Sequence, residues 1–232
     1  MKIVFTWDDG ALEDLKLFEL HKKYDIPGMF FVPNFNKEGR DVLSPEMIKN
    51  ASSDLISFGG HTITHSYLPT IPAEDLDKEL KDNRDYLSEI TGKPIEHFCL
   101  PGGKYDSELL KVCYKYFKTV RTADTMNFNC NGTLCKPAFH FYPRGKKSML
   151  VNALRSKNIF GAFKVAFSFS KSYYDIIYKF IDSSKNKDTV IVIWGHSWEL
   201  EKLNLWAELE KLMKYVSENY KESCVSYEKI FE

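Results

Sequence analysis

Ile3-Val4-Phe5-Thr6-Trp7-Asp8-Asp9-Gly10 is a short apolar run that stops in two adjacent carboxylates and a glycine. Such a run, bounded by a turn signal, predicts a buried strand, and α/β proteins place their chemistry at the C-terminal ends of parallel strands. Neighbouring residues at a strand end point in different directions, so one acid could bind a cation while the other takes a proton. An Asp-Gly turn is also an ordinary solvated feature, so the run by itself does not separate a site from a loop.

Two later stretches repeat the pattern. Leu55-Ile56-Ser57-Phe58 leads into Gly59-Gly60-His61-Thr62-Ile63-Thr64-His65, and Thr189-Val190-Ile191-Val192-Ile193-Trp194 leads into Gly195-His196-Ser197-Trp198. At i and i+4, His61 and His65 are expected to share one face of a helix or helical turn, close enough to hold one metal ion. Two imidazoles with a carboxylate from Asp8 or Asp9 make a donor set for a borderline divalent ion such as zinc, with positions left open for water and substrate. Thr189 to Trp194 is too short to span a membrane and reads as a buried parallel strand. An acidic pair, a His pair and a single His, each following a predicted strand, would converge on one face of a barrel of parallel strands.

These stretches resemble the motifs of the polysaccharide deacetylases with NodB homology, carbohydrate esterase family four, in a shorter-chain branch. Thr6-Trp7-Asp8-Asp9-Gly10 is similar to the first motif and His61-Thr62-Ile63-Thr64-His65 to the second. The resemblance runs from Lys2 to an expected final strand near Val225. It implies an α/β fold, a distorted (β/α) barrel of parallel strands in one domain covering residues 1–232. It further implies that Asp8 is the general base, that Asp9, His61 and His65 hold a divalent metal, and that His196 is the general acid. Zinc is the first expectation for that metal, with cobalt, nickel, iron or manganese as alternatives. The implied substrate is an N-acetylated amino sugar or glycan precursor.

The chain also departs from the family. Its third motif usually carries Arg, two prolines, an aromatic and Gly. Here Cys99-Leu100-Pro101-Gly102-Gly103 has Cys at the Arg position and Gly at the aromatic one. That Arg normally orients the base, and Arg121, after the next predicted strand, is the candidate to replace it. A backbone N–H in Pro101-Gly102-Gly103 is the candidate oxyanion donor. No residue matches the family's support for the catalytic His. Trp194, Trp198 and Trp206 could stack on a sugar ring or serve as core, and His140, Tyr142 and Arg144 could line the cleft.

Composition fits one packed α/β domain. The chain has 232 residues and 44% hydrophobic content, enough for a sizeable core. Lys plus Arg equals Asp plus Glu, 32 each, which argues against a nucleic-acid partner bound through phosphate neutralisation. Five scattered cysteines form no disulfide framework and fit a reducing compartment. The first strand begins at Lys2, leaving no room ahead of it for a secretion signal, so the expected location is cytoplasmic. No segment has the roughly twenty apolar residues of a membrane span.

Strands and helices are expected to alternate. Leu12 to Tyr24 predicts a helix with Leu12, Leu15, Phe18 and Leu20 inward, and Met29 to Val32 a strand. Ser44-Pro45 marks a helix start. Leu76, Leu80, Leu87 and Ile90 share a face of a helix closed by Gly92. Further strands are expected at His97 to Leu100, Thr119 to Thr122 and Phe139 to Tyr142, with a helix over Ser107 to Tyr116. Residues 145–188 read as helices covering the barrel. A peripheral contact with a membrane surface or lipid carrier is a second reading there, on Lys146, Lys147, Arg155, Lys157, Lys164 and the aromatics from Phe160 to Phe169.

The expected activity is removal of an acetyl group from an amino sugar by a metal-dependent amide hydrolase. Alternatives are a hydrolase of a non-sugar linear or cyclic amide on the same fold, a carbohydrate-binding relative without activity, and a structural metal protein. Binding alone needs neither Asp8 nor His196, and structural zinc sites are closed by four protein ligands where three are evident here.

Overall fold

Apolar runs between turn signals become strands β1 (Lys2–Asp8), β2 (Gly28–Val32), β3 (Ile56–Gly60), β4 (His97–Cys99), β5 (Thr119–Arg121), β6 (Leu134–Cys135), β7 (Phe139–His140) and β8 (Val190–Gly195). The computed structural model describes residues 1–128, 130, 132–155, 158, 162, 165–166 and 172–232. In it the strands form one sheet in the order β6-β5-β4-β3-β2-β1-β8-β7, and every pairing is parallel. β6 and β7 lie on one short stretch, Leu134 to His140, whose first part pairs with β5 and whose last part pairs with β8. The two edges of the sheet are therefore joined by a continuous piece of chain, and the sheet curls into the expected distorted barrel.

Side chains alternate across each strand. Ile3, Phe5, Trp7, Phe30, Val32, Phe98, Ile191 and Ile193 face the helices in the main core. Val4, Met29, Phe31, Cys99, Cys135 and Val192 face the other way and pack with Tyr227 and Ile230 of the C-terminal tail. Burial on both faces is why these strands read as continuous apolar runs. The tail corrects one expectation: only a single bridge, Ile3 with Cys224, stands where a final strand was expected near Val225.

Helices α1 (Asp14–Tyr24), α2 (Pro45–Ala51), α3 (Ala73–Thr91), α4 (Ser107–Cys113), α5 (Lys146–Arg155), α6 (Tyr173–Ser184), α7 (Ser197–Lys202) and α8 (Trp206–Tyr220) cover the sheet. α2 starts as expected, with the Ser44 hydroxyl accepting the Met47 N–H at 3.2 Å. α3 buries Leu76, Leu80 and Leu87, each contributing about 1.5–3 kcal/mol, and ends at Gly92, whose φ of 66° suits a residue without Cβ. α6 opens with a capping box at Ser172 and buries Ile176, Ile177, Phe180 and Ile181.

α1 differs from expectation. It buries Asp14, Leu17, Phe18 and His21, while Leu12 and Leu15 remain 37% and 40% exposed. Hydrogen bonding explains the rotation of its face. The Trp7 indole donates to His21 Nε2 at 2.7 Å, and His21 Nδ1–H donates to the Ile26 carbonyl at 2.7 Å. Burial pushes the His21 imidazole down to about 4, so it stays neutral and can accept the indole proton.

α5 and α6 agree with the reading of 145–188 as covering helices. Most of Phe160 to Phe169, together with Lys157, Lys164 and the side chain of Lys146, lies outside the described residues. No described helix is long and apolar enough to cross a membrane.

Candidate active site

β1 carries Asp8 to its end, and Asp9 follows with φ 76°, a left-handed conformation that turns its carboxylate away from that of Asp8. β3 ends at Gly60, and His61 opens the next loop. This loop corrects the expected helical turn: Thr62 and His65 have φ of 64° and 57°, and His61 to His65 is not helical. The bend brings the imidazoles together by another route, with ring centroids 5.1 Å apart.

α3 braces that loop. The buried Asn83 accepts the His61 backbone N–H at 2.8 Å. Glu79 accepts the N–H groups of Ile63 and Thr64 at 2.8 and 3.2 Å and the Thr64 hydroxyl at 3.0 Å. Asp9 Oδ1 then lies 3.4 Å from His61 Nε2 and 3.0 Å from His65 Nε2. Its other oxygen accepts the Trp198 indole N–H at 2.8 Å. Burial opposes ionisation of Asp9, but hydrogen bonds from His61 and His65 and the charge on His196 hold its carboxyl well below the usual range.

The donor chemistry of this trio fits a cation. His61 Nδ1 faces the Cys99 carbonyl at 2.8 Å, which fixes its hydrogen there. Nε2, 3.4 Å from the Asp9 oxygen, is then the ring atom left to carry either a second proton or a cation. Two acceptors at that distance repel unless a proton or a metal ion lies between them. Asp9, His61 and His65, all buried, each offer a ligand atom within 4.8 Å of the others.

Asp8 has different company. Arg121 Nη2 donates to both of its carboxylate oxygens, and the same nitrogen lies 2.9 Å from Cys99 Sγ. Strand register brings this about, because Cys99 pairs with Arg121 across β4 and β5. The guanidinium comes from the neighbouring strand, one step from where the family's Arg would stand. Both its Asp8 partner and the covering rings of Trp194 and Phe31, 4.8 and 5.4 Å from its central carbon, keep it charged in a fully buried place.

The other departure is filled in the same manner. A side chain at Gly102, the aromatic position of the family motif, would meet the Tyr67 ring at 2.8 Å. Tyr67 occupies that space from the His loop and lines the cleft. In this third stretch Pro101 has no N–H, and the Gly103 N–H already donates to the Leu100 carbonyl at 2.9 Å. Of the three expected oxyanion donors, Gly102 is the one that remains.

His196 follows β8 and faces the same cleft. Its Nδ1 is 2.7 Å from Glu199 Oε2, one turn along α7, and that oxygen also meets His140 Nε2 at 2.9 Å. Burial alone would lower both imidazoles. His140 goes down to about 4. His196 is instead pushed up to about 9, because its hydrogen bond to Glu199 and the charges of Asp9, Glu199 and Asp8 outweigh burial. Glu199, held by the two imidazoles against burial, falls to about 2.

The tryptophans divide. Trp198 lines the cleft but spends its indole N–H on Asp9, with the Arg40 guanidinium 4.5 Å from its ring. Trp194 is 7% exposed, and His140 stacks on it at 3.9 Å, so its ring is not open to a sugar. Trp206 lies away from the cleft, donating to Glu201 at 2.8 Å under Lys16. Tyr142 stacks on His140 with centroids 5.4 Å apart. The cleft, of about 420 Å³, is lined by Asp8, Asp9, His61, His65, Tyr67, Arg144 and His196 among others. Glu199, Tyr67, Asn83 and Glu79 were not singled out from the sequence; only the i, i+3 spacing of His196 and Glu199 carried a signal.

Comparison with known proteins agrees with this fold. The peptidoglycan N-acetylglucosamine deacetylase Bc1960, solved with a hydroxamate, superposes with a TM-score of 0.58 at 16% identity, covering 99% of this chain and 87% of that one. A family 4 carbohydrate esterase from Streptomyces lividans, solved with acetate, gives 0.56 at 14% identity over 94% of this chain and 86% of that one. A curated protein of Geobacillus stearothermophilus, described as an uncharacterized 30.6 kDa protein in the fumA 3'region, is 26% identical over 118 residues, 50% of this chain. The chain spans 43% of that relative's length. The sequence model of the polysaccharide deacetylases matches residues 1–117, the stretch that holds Asp8, Asp9, His61 and His65. On that match the chain belongs to the polysaccharide deacetylase family.

Proposed function

We propose that this protein is a metal-dependent hydrolase that removes the acetyl group from an N-acetylated amino sugar. The observation that carries the reading is the separation of the two acids: Asp9 lies against the imidazoles of His61 and His65, while the hydrogen-bond partners of Asp8, beside it, are Arg121 and the Cys99 thiol among the described residues. Asp9, His61 and His65 would hold a divalent ion, zinc by the donor set, and when bound it would supply Lewis acidity to the acyl oxygen and acidify water. Three protein ligands beside an open cleft suit a catalytic site better than a structural one.

Asp8 takes the proton of the attacking water. Arg121 holds that carboxylate in place by donating to both of its oxygens. The Gly102 backbone N–H, on the wall of the cleft, donates to the oxyanion in this reading. His196, protonated through Glu199, gives its proton to the leaving nitrogen, since an amine leaves poorly without one. A cation on Asp9 would cancel one of the charges that raise His196, which leaves Glu199 as its principal support.

Acetate release from an N-acetylated sugar, compared with release from an activated aryl acetate, tests this assignment. Amide turnover should fall on the alkaline side as His196 loses its proton, below the value of about 9 that it has with Asp9 uncompensated, because the cation removes part of its support. His196→Ala should keep metal and lose amide turnover by about 10² or more, yet lose far less on the ester, whose leaving group needs no proton. Equal losses on both substrates would show that His196 shapes the pocket and is not the acid.

A further inference from the structure

A second cavity, of about 300 Å³, opens beside the cleft. The two share Ala123 and Arg144 as a common wall. Among the described residues its lining carries Lys136, Arg144 and Arg155 against one acid, Asp124, so three cations less one carboxylate leave an excess of two positive charges there. The chain as a whole has a formal net charge of zero, so this excess is a local concentration. Asp124 is already engaged, accepting the Tyr105 hydroxyl at 2.9 Å and pairing with Lys136 at 3.2 Å. Arg144 touches His140 Nδ1 at 3.0 Å, and its Nε is buried without a hydrogen-bond partner among the described residues. Neither Arg144 nor Arg155 has a carboxylate within ion-pair distance among those residues.

A neutral sugar could hydrogen-bond to this lining but would leave its excess positive charge uncompensated. Guanidinium groups match the oxygens of a phosphate, and a phosphate monoester carries about two negative charges. Asn152, which donates to Thr125 at 3.0 Å, adds a polar wall.

We propose that this pocket is a phosphate subsite and that the substrate is an acylated amino sugar bearing a phosphate. Arg155, Arg144 and Lys136 hold the phosphate while the acyl group reaches the cleft, so the proposal rests on the deacetylase reading. The phosphate could belong to a soluble sugar phosphate, a nucleotide diphosphate sugar or a lipid-linked sugar. Val151 and Leu154, 39% and 57% exposed on α5 next to Arg155, would meet the tail in the last case.

Calorimetric titration of the whole chain with N-acetylglucosamine, its 1-phosphate, a uridine diphosphate derivative and a lipid diphosphate derivative in micelles tests this, with acetate release measured on each. At least one phosphorylated form should bind about tenfold or more tightly than the neutral sugar, and the tightest one identifies the carrier. Arg155→Gln and Lys136→Gln, both on partly open side chains, should remove that preference and leave neutral-sugar affinity and turnover unchanged. Equal affinity for phosphorylated and neutral sugars, or a preference that survives both substitutions, would overturn the subsite. Acetate release without phosphate preference refutes the subsite and keeps the deacetylase reading; phosphate preference without acetate release from any form does the reverse.

Discussion

Arg121→Met is expected to destabilise the fold by about 3–5 kcal/mol, because it leaves the Asp8 carboxylate buried without its partner. Arg121 is fully buried and its Nη2 donates to both Asp8 oxygens. Without the guanidinium that donates to both of its oxygens, Asp8 is also no longer held in position as a base. Turnover should therefore fall with stability. Denaturant unfolding together with acetate release reads both effects. The double variant Arg121→Met with Cys99→Arg, which returns the guanidinium to the family's usual position, should recover part of each. Unchanged stability and turnover in the single variant would mean that Arg121 is not the partner that Asp8 depends on.

Asp8→Asn is expected to lower amide turnover by about 10² or more while metal content stays at the wild-type level. The amide oxygen still accepts from Arg121, but it cannot take a proton, and a charged guanidinium left beside a neutral group costs some stability. Metal analysis and acetate release on the same sample separate the alternatives. Loss of metal with retained rate per bound ion would mean that Asp8 and Asp9 have exchanged roles.

Much of this was legible in the sequence. The strand ends at Asp8, His61 and His196 stood out because each apolar run stops abruptly in a polar residue, and parallel strands bring such ends together. Arg121 could be named because it ends the strand next to the one whose Arg is missing. Local backbone was harder to read. The spacing of His61 and His65 suggested a helix, but left-handed residues at Thr62 and His65 make a bend that periodicity does not encode. α1 was rotated for a related reason: leucine spacing could not reveal that the Trp7 indole needs His21. For Trp194 the sequence left a sugar platform and a core ring equally open, because it gives no account of what lies against that ring, here His140. Tyr67 was missed because it fills the space over Gly102 from another loop.

The central claim is that Asp9, His61 and His65 hold a metal on which deacetylation depends. Metal content measured beside acetate release, before and after chelation, tests it most directly. The account predicts one divalent ion per chain, lost together with activity on chelation and restored with it on adding the ion back, and His61→Ala showing neither. Full turnover by the metal-free chain, or His61→Ala with wild-type metal content and rate, would contradict it.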